Sequence, residues 1–595
     1  MTALLPVAAL AGPPAVPVLA PADLHAGQKA EVRTVFSGTR IESFDAEIVG
    51  VFHGGRTEGD MILARATSER VIREGIAQGM SGSPVYVDGK LVGALSSGWQ
   101  FSREPLFGIT PIAEMLRVLD LPAGTDREGS AGPSGVEVPG HSAGARFREL
   151  RWEDSLVTAL PPPPIAGAEG LRALALPLAC GGLNPVALAA AREWLAPLGL
   201  TVVPGGRASG GGPDAASMEP GSAVAVDVLR GDLQMSAIGT VTYRDGDRLL
   251  IFGHPFFQAG EVRMPLSSAE IVTIVASEVS SFKLGMPGRE VGAATQDRRP
   301  AVAGMLGAHA HMVRVGVSIS APGRASQRFH FESIEDRTLL PSLVGVAALN
   351  SLLESGGTGS GQTLRWSLRL YRPGLAPLVL RDVSAGDAAS GDLMNGIGAP
   401  LRFLFNNPYE RPRLDSIAVE IESRPEREQL TLRAARLLEA AVRPGRALHV
   451  RCTIEHWRGA SDSRDVTLQV PEELPPGRYL VWIGGGAELT RFEAARLPGR
   501  FRPTSLADAW TRLGRTRSSD ALYAALVARA PELTSDGRDY PELPVSALML
   551  LGSPLSSGER GRRGDSALFE ESRLPTDGAL RGEIQLEFNV DVTAP

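Results

Sequence analysis

Ser81 is the residue whose surroundings best suit nucleophilic chemistry. It lies in the run Gly79-Met80-Ser81-Gly82-Ser83-Pro84, called here the nucleophile turn. A serine hydroxyl attacks a carbonyl efficiently only when a base takes its proton and amide donors face the developing oxyanion. Glycines on both sides of Ser81 allow the backbone to curl so that the amides of Gly79 and Ser81 face one small concavity. We therefore predict Ser81 as a nucleophile and Gly79 as an oxyanion-hole residue.

A general base must come from one of the nine histidines, and spacing alone does not select it. His254 is our candidate because it directly follows a predicted hairpin strand, beside a glycine that permits close approach. The alternative is that His254 has a purely structural role, as a core or capping histidine. His309 and His311 lie two residues apart, but no third ligand has a suitable spacing, so we predict no metal site and no cofactor.

Two segments resemble one known family. Residues 75–94 resemble the serine region of the stage IV sporulation protein B peptidases, with the order GIxxGMSGSP, strand, GK, strand, GA. The nucleophile turn also resembles the GDSGGP turn of chymotrypsin-like peptidases, in which the first serine attacks. Residues 239–254 are similar to the family's GTxT...GH segment, whose histidine is catalytic. The resemblance implies a serine endopeptidase that acts on a protein or peptide, with Ser81 as nucleophile and His254 as base.

The sequence departs from the family pattern in two respects. The histidine segment comes first in the family, whereas Ser81 precedes His254 here. A triad is defined by geometry, so two barrels can meet in either order. The family's acidic residue, upstream of GIxxGM, has no counterpart in residues 63–68. Asp297 is a possible orienting acid, and Asp45 and Glu47 are alternatives.

Short strands and tight turns predict the elements that must position these residues. Residues 84–87 and 90–95 form a predicted hairpin around Asp88-Gly89, and residues 240–244 and 248–252 form a second one. The predicted fold is mainly β, with two chymotrypsin-like β-barrel units and additional C-terminal β-sandwich-like domains. In the tail we also predict a helix over residues 518–529.

The predicted domains follow shifts in composition and periodicity. They are a signal-like or disordered lead (1–24), a serine-bearing barrel (25–124), a linker or accessory region (125–219), a histidine-bearing barrel (220–345), a connecting region (346–410), a sandwich-like domain (411–500) and a β-rich C-terminal region (501–595). Residues 346–595 contain no motif that indicates a function.

Composition narrows the class of protein. Hydrophobic residues make up 43% and charged residues 21%, as in soluble globular proteins. The net charge is −7 and no long basic tract is present, so we expect no nucleic-acid partner. No stretch is long and apolar enough to predict a transmembrane helix. Cys180 and Cys452 are expected to be buried thiols or to form at most one bridge.

The first twenty residues are apolar and small, like the h-region of a secretory signal, although they lack the usual preceding Lys or Arg. We therefore expect a periplasmic or secreted protein. Two alternatives to a general peptidase stay open. One is an inactive envelope protein that uses the scaffold to bind a partner. The other is an enzyme that cleaves only its own linker near residues 205–212.

Overall fold

The computed structural model describes residues 16–594 except 57–58, 100–101, 103, 122–170, 175, 199, 207–216, 357–360, 408, 497–502, 504, 529–531, 536–537, 541–543, 552–560 and 565. The described residues form two compact units. The first contains the chain as far as Met312 together with Phe331–Glu335, and the second contains Val313–His330 and the chain from Asp336 onward.

The first unit begins with a closed barrel that carries Ser81. Its elements are β1 (Lys29–Val35), β2 (Ile41–Arg56), β3 (Gly59–Ala66), α1 (Glu69–Glu74), β4 (Pro84–Val87), β5 (Lys90–Trp99), β6 (Leu106–Pro111) and α2 (Ile112–Leu119). Because β4 pairs with both β1 and β5, the ring β4-β1-β2-β3-β6-β5 is closed. The β4–β5 turn has positive φ at Asp88 (49°) and Gly89 (73°), as a primed two-residue turn requires.

A second ring in the same unit carries His254. The elements after the first barrel are β7 (Leu171–Ala173), β8 (Leu176–Gly181), α3 (Pro185–Leu195), β9 (Leu200–Pro204), β10 (Ala223–Gly231), β11 (Gln234–Asp245), β12 (Arg248–Ile251), β13 (Gly260–Val275), β14 (Phe282–Arg298) and β15 (Ala301–Leu306). Pairing of β10 with β11 closes the ring β10-β13-β14-β15-β12-β11. Two short 3₁₀ turns lie at Pro21–Asp23 and Ala196–Leu198.

The structure describes the end of the predicted lead (1–24) and only part of the predicted linker or accessory region (125–219). Val18 forms a parallel bridge with Leu91 of β5, so residues just before β1 are part of the first unit. Residues 122–170 and 207–216 lie outside the described residues. They include most of the predicted linker or accessory region (125–219) and most of the candidate self-cleavage stretch (205–212).

The second unit begins with strands and two packed helices. Its elements are β16 (Met312–Ser320), β17 (Gln327–Ile334), α4 (Leu340–Glu354), β18 (Thr363–Tyr371), β19 (Leu378–Ala385), α5 (Ala389–Phe405) and β20 (Ser416–Arg424). Met312 of β16 and the residues of β17 from Phe331 onward belong to the first unit. β18 pairs with β19 and β20, and β20 runs parallel to β16. α4 packs against α5.

The rest of the second unit contains the sandwich. Its elements are β21 (Gln429–Leu437), β22 (Ala441–Val442), β23 (Ala447–His456), β24 (Ser461–Gln469), β25 (Gly477–Gly485), α6 (Gly486–Arg496), α7 (Leu506–Leu513), β26 (Ala521–Ala528), β27 (Glu532–Ser535), β28 (Arg538–Tyr540), α8 (Val545–Leu551), β29 (Gly561–Gly564), β30 (Ala567–Pro575), β31 (Ala579–Arg581) and β32 (Glu583–Val590). The sheets β24-β23-β21-β31 and β22-β32-β25-β26-β30 share one core, in which Val450 and Phe588 come from opposite sheets.

The predicted fold class, a mainly β protein with barrels and further β-rich domains, is confirmed. The helix predicted over residues 518–529 is wrong, because Ala521–Ala528 is strand β26. All eight of its residues are buried, and a strand buried on both faces shows no alternation to distinguish it from a buried helix. Cys180 and Cys452 are buried free thiols. Desolvation raises the pKa of each thiol to about 12, so both stay protonated at neutral pH.

Candidate active site

The nucleophile turn joins α1 to β4 and is anchored by Met80. The Met80 side chain is fully buried in the core of the first barrel, and its carbonyl oxygen accepts a 3.0 Å hydrogen bond from the Ser83 amide. Gly79 and Gly82 have φ values of 89° and 95°, a region that favours glycine. The two glycines and the buried methionine thus hold Ser81 in a tight bend.

The contacts of two carbonyl groups fix the peptides that carry the Gly79 and Ser81 amides. The carbonyl oxygen of Gln78 accepts from the amide of Lys283 at 2.9 Å, and that of Met80 is used within the turn. The N–H and C=O of a trans peptide point in opposite directions, so the amides of Gly79 and Ser81 point away from these contacts. Neither amide donates a hydrogen bond to any group in the described part of the chain. Both N–H groups are therefore without a backbone acceptor in the described residues.

The Ser81 hydroxyl is fully buried and has no hydrogen-bond partner among the described residues. The same holds for Ser83, so hydroxyl bonding does not distinguish the two serines. Their backbones do differ. The Ser81 carbonyl oxygen accepts from the Thr240 amide of β11 at 3.0 Å, whereas that of Ser83 accepts from the Leu95 amide of β5 at 2.9 Å. Ser81 is the serine whose backbone contacts the second barrel.

A sharp bend after β12 directs the chain into His254. Phe252 and Gly253 have φ values of 71° and 67°, two successive residues in the left-handed region. A side chain at position 253 would lie 2.8 Å from the Ala94 methyl of β5, so glycine is needed for the approach. The rings of Phe252 and His254 stack with centroids 6.1 Å apart and an interplanar angle of 17°. The imidazole is thereby held where the two barrels meet.

Backbone contacts bring the serine and histidine segments together. A Cβ at Gly82 would lie 2.1 Å from the Thr240 carbonyl oxygen and 2.6 Å from the Phe252 amide nitrogen. The Thr110 hydroxyl of β6 donates to the Gly253 carbonyl oxygen at 2.6 Å. The nucleophile turn therefore contacts β11 and the residue two positions before His254. Loops more than 150 residues apart in sequence converge within one unit.

The imidazole of His254 is 4% exposed and has a local partner. Its Nδ1 lies 2.8 Å from the Pro255 carbonyl oxygen, which can only accept, so Nδ1 carries the proton in this contact. In the neutral imidazole the buried Nε2 then carries the lone pair, which is the tautomer that a general base requires.

Asp297 holds the loop that follows His254. Its fully buried carboxylate accepts from the Phe256 amide at 2.7 Å through one oxygen, and from the Phe257 amide at 2.7 Å and the Ala259 amide at 3.1 Å through the other. Hydrogen bonds to an ionised acceptor are among the stronger ones in proteins. Asp297 thus orients the backbone that begins at the imidazole.

The other acidic candidates and the histidine pair lie elsewhere. Asp45 is exposed and Glu47 partly exposed on β2, where they alternate with side chains buried inside the first barrel. Exposed His309 contacts Glu290 through Nδ1 at 3.0 Å. Of the three acids predicted from the sequence, Asp297 is the one whose carboxylate contacts the segment of His254.

We expect Asp297→Asn to lower the free energy of unfolding by about 2–3 kcal/mol, because one carboxamide N–H₂ then faces a backbone donor in either amide orientation. Urea unfolding of the full chain measures the change. Asp88→Asn, in the exposed β4–β5 turn, is the matched control and should stay within about 0.5 kcal/mol of the wild type. Equal stability of both variants would show that the three amides do not depend on the charge.

Three polar residues behind the nucleophile turn were missed by sequence reasoning. The Thr240 and Thr242 hydroxyls donate to the carbonyl oxygens of Gly79 and Gly82 at 3.0 and 2.7 Å. Lys283 of β14 is fully buried beside them. The only sequence signal was the pair of threonines in the GTxT segment, and the motif gave no reason to connect them with the turn.

Comparison with known proteins agrees with the resemblance found in the sequence. Residues 11–115 match the family model described as SpoIVB peptidase S55. The match includes Ser81 and ends before His254. No curated protein and no solved structure matches the chain. No helix in the described part of the chain is long and apolar enough to cross a membrane. The resemblance to the SpoIVB peptidases is thus confirmed for the serine-bearing barrel, and it supports a serine peptidase at the level of the family.

Proposed function

We propose that this protein is an exported serine endopeptidase that hydrolyses peptide bonds through an acyl-enzyme, with Ser81 as nucleophile and His254 as general base. The observation that carries the proposal is the backbone contact at Gly82, which is packed against Thr240 and Phe252. This contact supports the proposal because it packs the turn of Ser81 against the bend that leads into His254. The Ser81 hydroxyl does not hydrogen-bond to the imidazole in the structure, so the proton transfer requires a side-chain movement.

The chemical steps use groups already described. Nε2 of His254 takes the Ser81 proton as Oγ attacks the substrate carbonyl carbon, and the carbonyl π electrons move to oxygen. The tetrahedral intermediate collapses, the C–N bond breaks, and the imidazolium gives its proton to the leaving amine. Water then attacks the acyl-enzyme ester with His254 as base, which releases the acid product and restores Ser81.

The nucleophile turn supplies electrostatic stabilisation in this scheme. The amides of Gly79 and Ser81 donate to the oxyanion, and a single donor of this kind contributes about 10²–10³-fold in kcat. Asp297 acts as a positioning residue, because its carboxylate holds the backbone after His254.

A fluorophosphonate probe tests the nucleophile. We expect covalent labelling of the wild-type chain and no labelling of Ser81→Ala, because the probe phosphonylates an activated serine. Ser83→Ala is the matched control, since that hydroxyl is equally buried, and it should be labelled. Labelling that persists in Ser81→Ala, or a wild-type chain that is never labelled, would contradict the proposal.

One observation favours a second candidate, a non-catalytic envelope protein that binds a partner through the peptidase scaffold. Ser81 is fully buried, so a substrate carbonyl reaches its hydroxyl only after neighbouring groups move. This candidate predicts that the wild-type chain stays unlabelled even at high probe concentration.

A self-processing enzyme predicts a different result. The wild-type chain would cleave itself but no added protein, and intact-mass analysis against Ser81→Ala would detect the cleavage.

We also propose a periplasmic or secreted location, which rests on the apolar character of residues 1–20. Expression of the full chain with a C-terminal tag, followed by cell fractionation, tests it. Recovery of the tag in the cytoplasmic fraction alone would contradict export.

A further inference from the structure

Lys283 is a buried amine without an acidic partner among the described residues. Its side chain is fully buried, and its Nζ donates to the Thr34 hydroxyl of β1 at 2.7 Å and to the Thr240 hydroxyl of β11 at 3.3 Å. Desolvation lowers the pKa of its ammonium group to about 7. Burial of an amine at such cost, without a compensating carboxylate, indicates a role other than fold stability.

The contacts of Lys283 lead directly to the nucleophile turn. Its backbone amide holds the Gln78 carbonyl oxygen at 2.9 Å, which directs the Gly79 amide the other way. Its Nζ contacts Thr240, whose hydroxyl in turn donates to the Gly79 carbonyl oxygen at 3.0 Å. The two peptide groups that flank Gly79 are therefore both held by this residue, one directly and one through Thr240.

The aliphatic part of Lys283 also fits against the turn. A Cβ at Gly79 would lie 3.1–3.4 Å from the Cβ, Cγ and Cδ atoms of Lys283. The stem thus packs on the glycine whose amide is the predicted oxyanion donor. Any change in the position of the stem changes the space available to that peptide.

Lysine is rare in this sequence, and one of its few lysines lies at this buried position. The sequence contains three lysines, Lys29, Lys90 and Lys283, among 60 Lys and Arg residues. Lys29 and Lys90 are exposed, so Lys283 is the buried one. An arginine has a bulkier, planar head and cannot be deprotonated, whereas a lysine enters a dry site as a neutral amine.

We propose that Lys283 is a positioning residue of the Ser81 site: through the Thr240 hydroxyl, its Nζ holds the Gly79–Met80 peptide, which adjoins the oxyanion-binding amide of Gly79. The inference rests on the proposed function and adds to it a residue from β14. Hydrogen bonds in a chain polarise one another at low dielectric, so the link from Nζ through the Thr240 hydroxyl fixes the Gly79 carbonyl group, and with it the residue whose amide is the predicted donor, more firmly than Thr240 does alone. A preorganised donor is the property that oxyanion stabilisation requires.

The protonation of Lys283 affects stability more than it affects these contacts. An ammonium has three N–H donors and a neutral amine has two, so both threonine contacts persist in either form. The folded-state pKa, about 7, lies below the ordinary value of 10.5, so the unfolded chain binds more protons between these pH values. The unfolding free energy therefore rises with pH over this range, and Lys283 is most destabilising at pH 7 and below.

The test separates a positioning role from a structural one. In Lys283→Met we expect the maximal rate constant of fluorophosphonate labelling to fall by about tenfold or more, with the half-saturating probe concentration changed by less than about twofold. The midpoint of thermal unfolding should rise at pH 7, because a desolvated amine is removed, and this gain should shrink toward pH 10.

Matched variants complete the experiment. Thr240→Val removes the relay hydroxyl and should slow labelling as Lys283→Met does, whereas Thr240→Ser keeps a hydroxyl and should be faster than Thr240→Val. Lys90→Met, an exposed lysine, should label at the wild-type rate. An unchanged rate in Lys283→Met, or a slower rate with a lower unfolding midpoint, overturns the inference while the proposed function stands. A wild-type chain that is never labelled would contradict both the inference and the proposed function.

Discussion

His254→Gln is expected to lower kcat for hydrolysis of labelled casein by about 10³–10⁴-fold, because the Ser81 hydroxyl then loses its general base. Glutamine has nearly the same reach and keeps a polar end in the buried site, so the loss reports proton transfer more than packing. The contacts that set the position of residue 254, the stacking on Phe252 and the Thr110 bond to Gly253, do not depend on the imidazole as a base.

The double variant gives the sharper readout. Ser81→Ala with His254→Gln should be no slower than Ser81→Ala alone, because residues that act as one unit are not additive. His309→Gln is the control, since this exposed histidine contacts Glu290 away from the nucleophile turn, and its kcat should equal the wild-type value. A His254→Gln enzyme within tenfold of the wild type would show that another group accepts the proton.

Local patterns were sufficient to predict the β-barrels, and they were the basis on which Ser81 and His254 were proposed. The Asp88-Gly89 turn has the positive φ angles that its residue types favour. Glycine-framed Ser81 and His254 after its hairpin are features of a few neighbouring residues. Such features depend on backbone sterics, which the sequence shows directly.

The sequence does not reveal the long-range contacts of buried polar residues. Lys283 looks like any charged residue on a strand until the fold buries it between Thr34 and Thr240, which are far away in the chain. Asp297 was selected only as one of several acids, and its three backbone donors come from a loop about 40 residues earlier. Burial and partner are properties of the tertiary fold, so residue type alone does not predict them.

Sequence order proved to be no obstacle to convergence. The serine segment precedes the histidine segment here, the reverse of the order in the family that it resembles. In the structure Thr240 N donates to Ser81 O across the two barrels, within one compact unit. Strand pairing brings the segments together whichever is synthesised first, because a closed ring does not depend on which strand comes first.

Gly82→Ala is expected to lower the free energy of unfolding by more than about 3 kcal/mol and to abolish activity. Part of the cost is the strain of a non-glycine residue at φ 95°, about 1–3 kcal/mol. The remainder comes from a methyl group placed 2.1 Å from the Thr240 carbonyl oxygen and 2.6 Å from the Phe252 amide nitrogen. Both neighbours are backbone atoms, so relief requires the β11–β12 segment to move away from the turn.

Gly89→Ala isolates the second contribution. Gly89 also has a positive φ, 73°, but a Cβ there meets nothing within 4 Å. It should therefore cost only about 1 kcal/mol, the conformational term, and should leave labelling by the fluorophosphonate probe intact. If the two variants lose equal stability by urea unfolding, the close approach at Gly82 does not hold the barrels together. We expect Gly82→Ala to lose more unfolding free energy than Gly89→Ala and to lose labelling as well. That result would show that the close contact of Gly82 with Thr240 and Phe252 is needed both to hold the two barrels together and to bring Ser81 near His254.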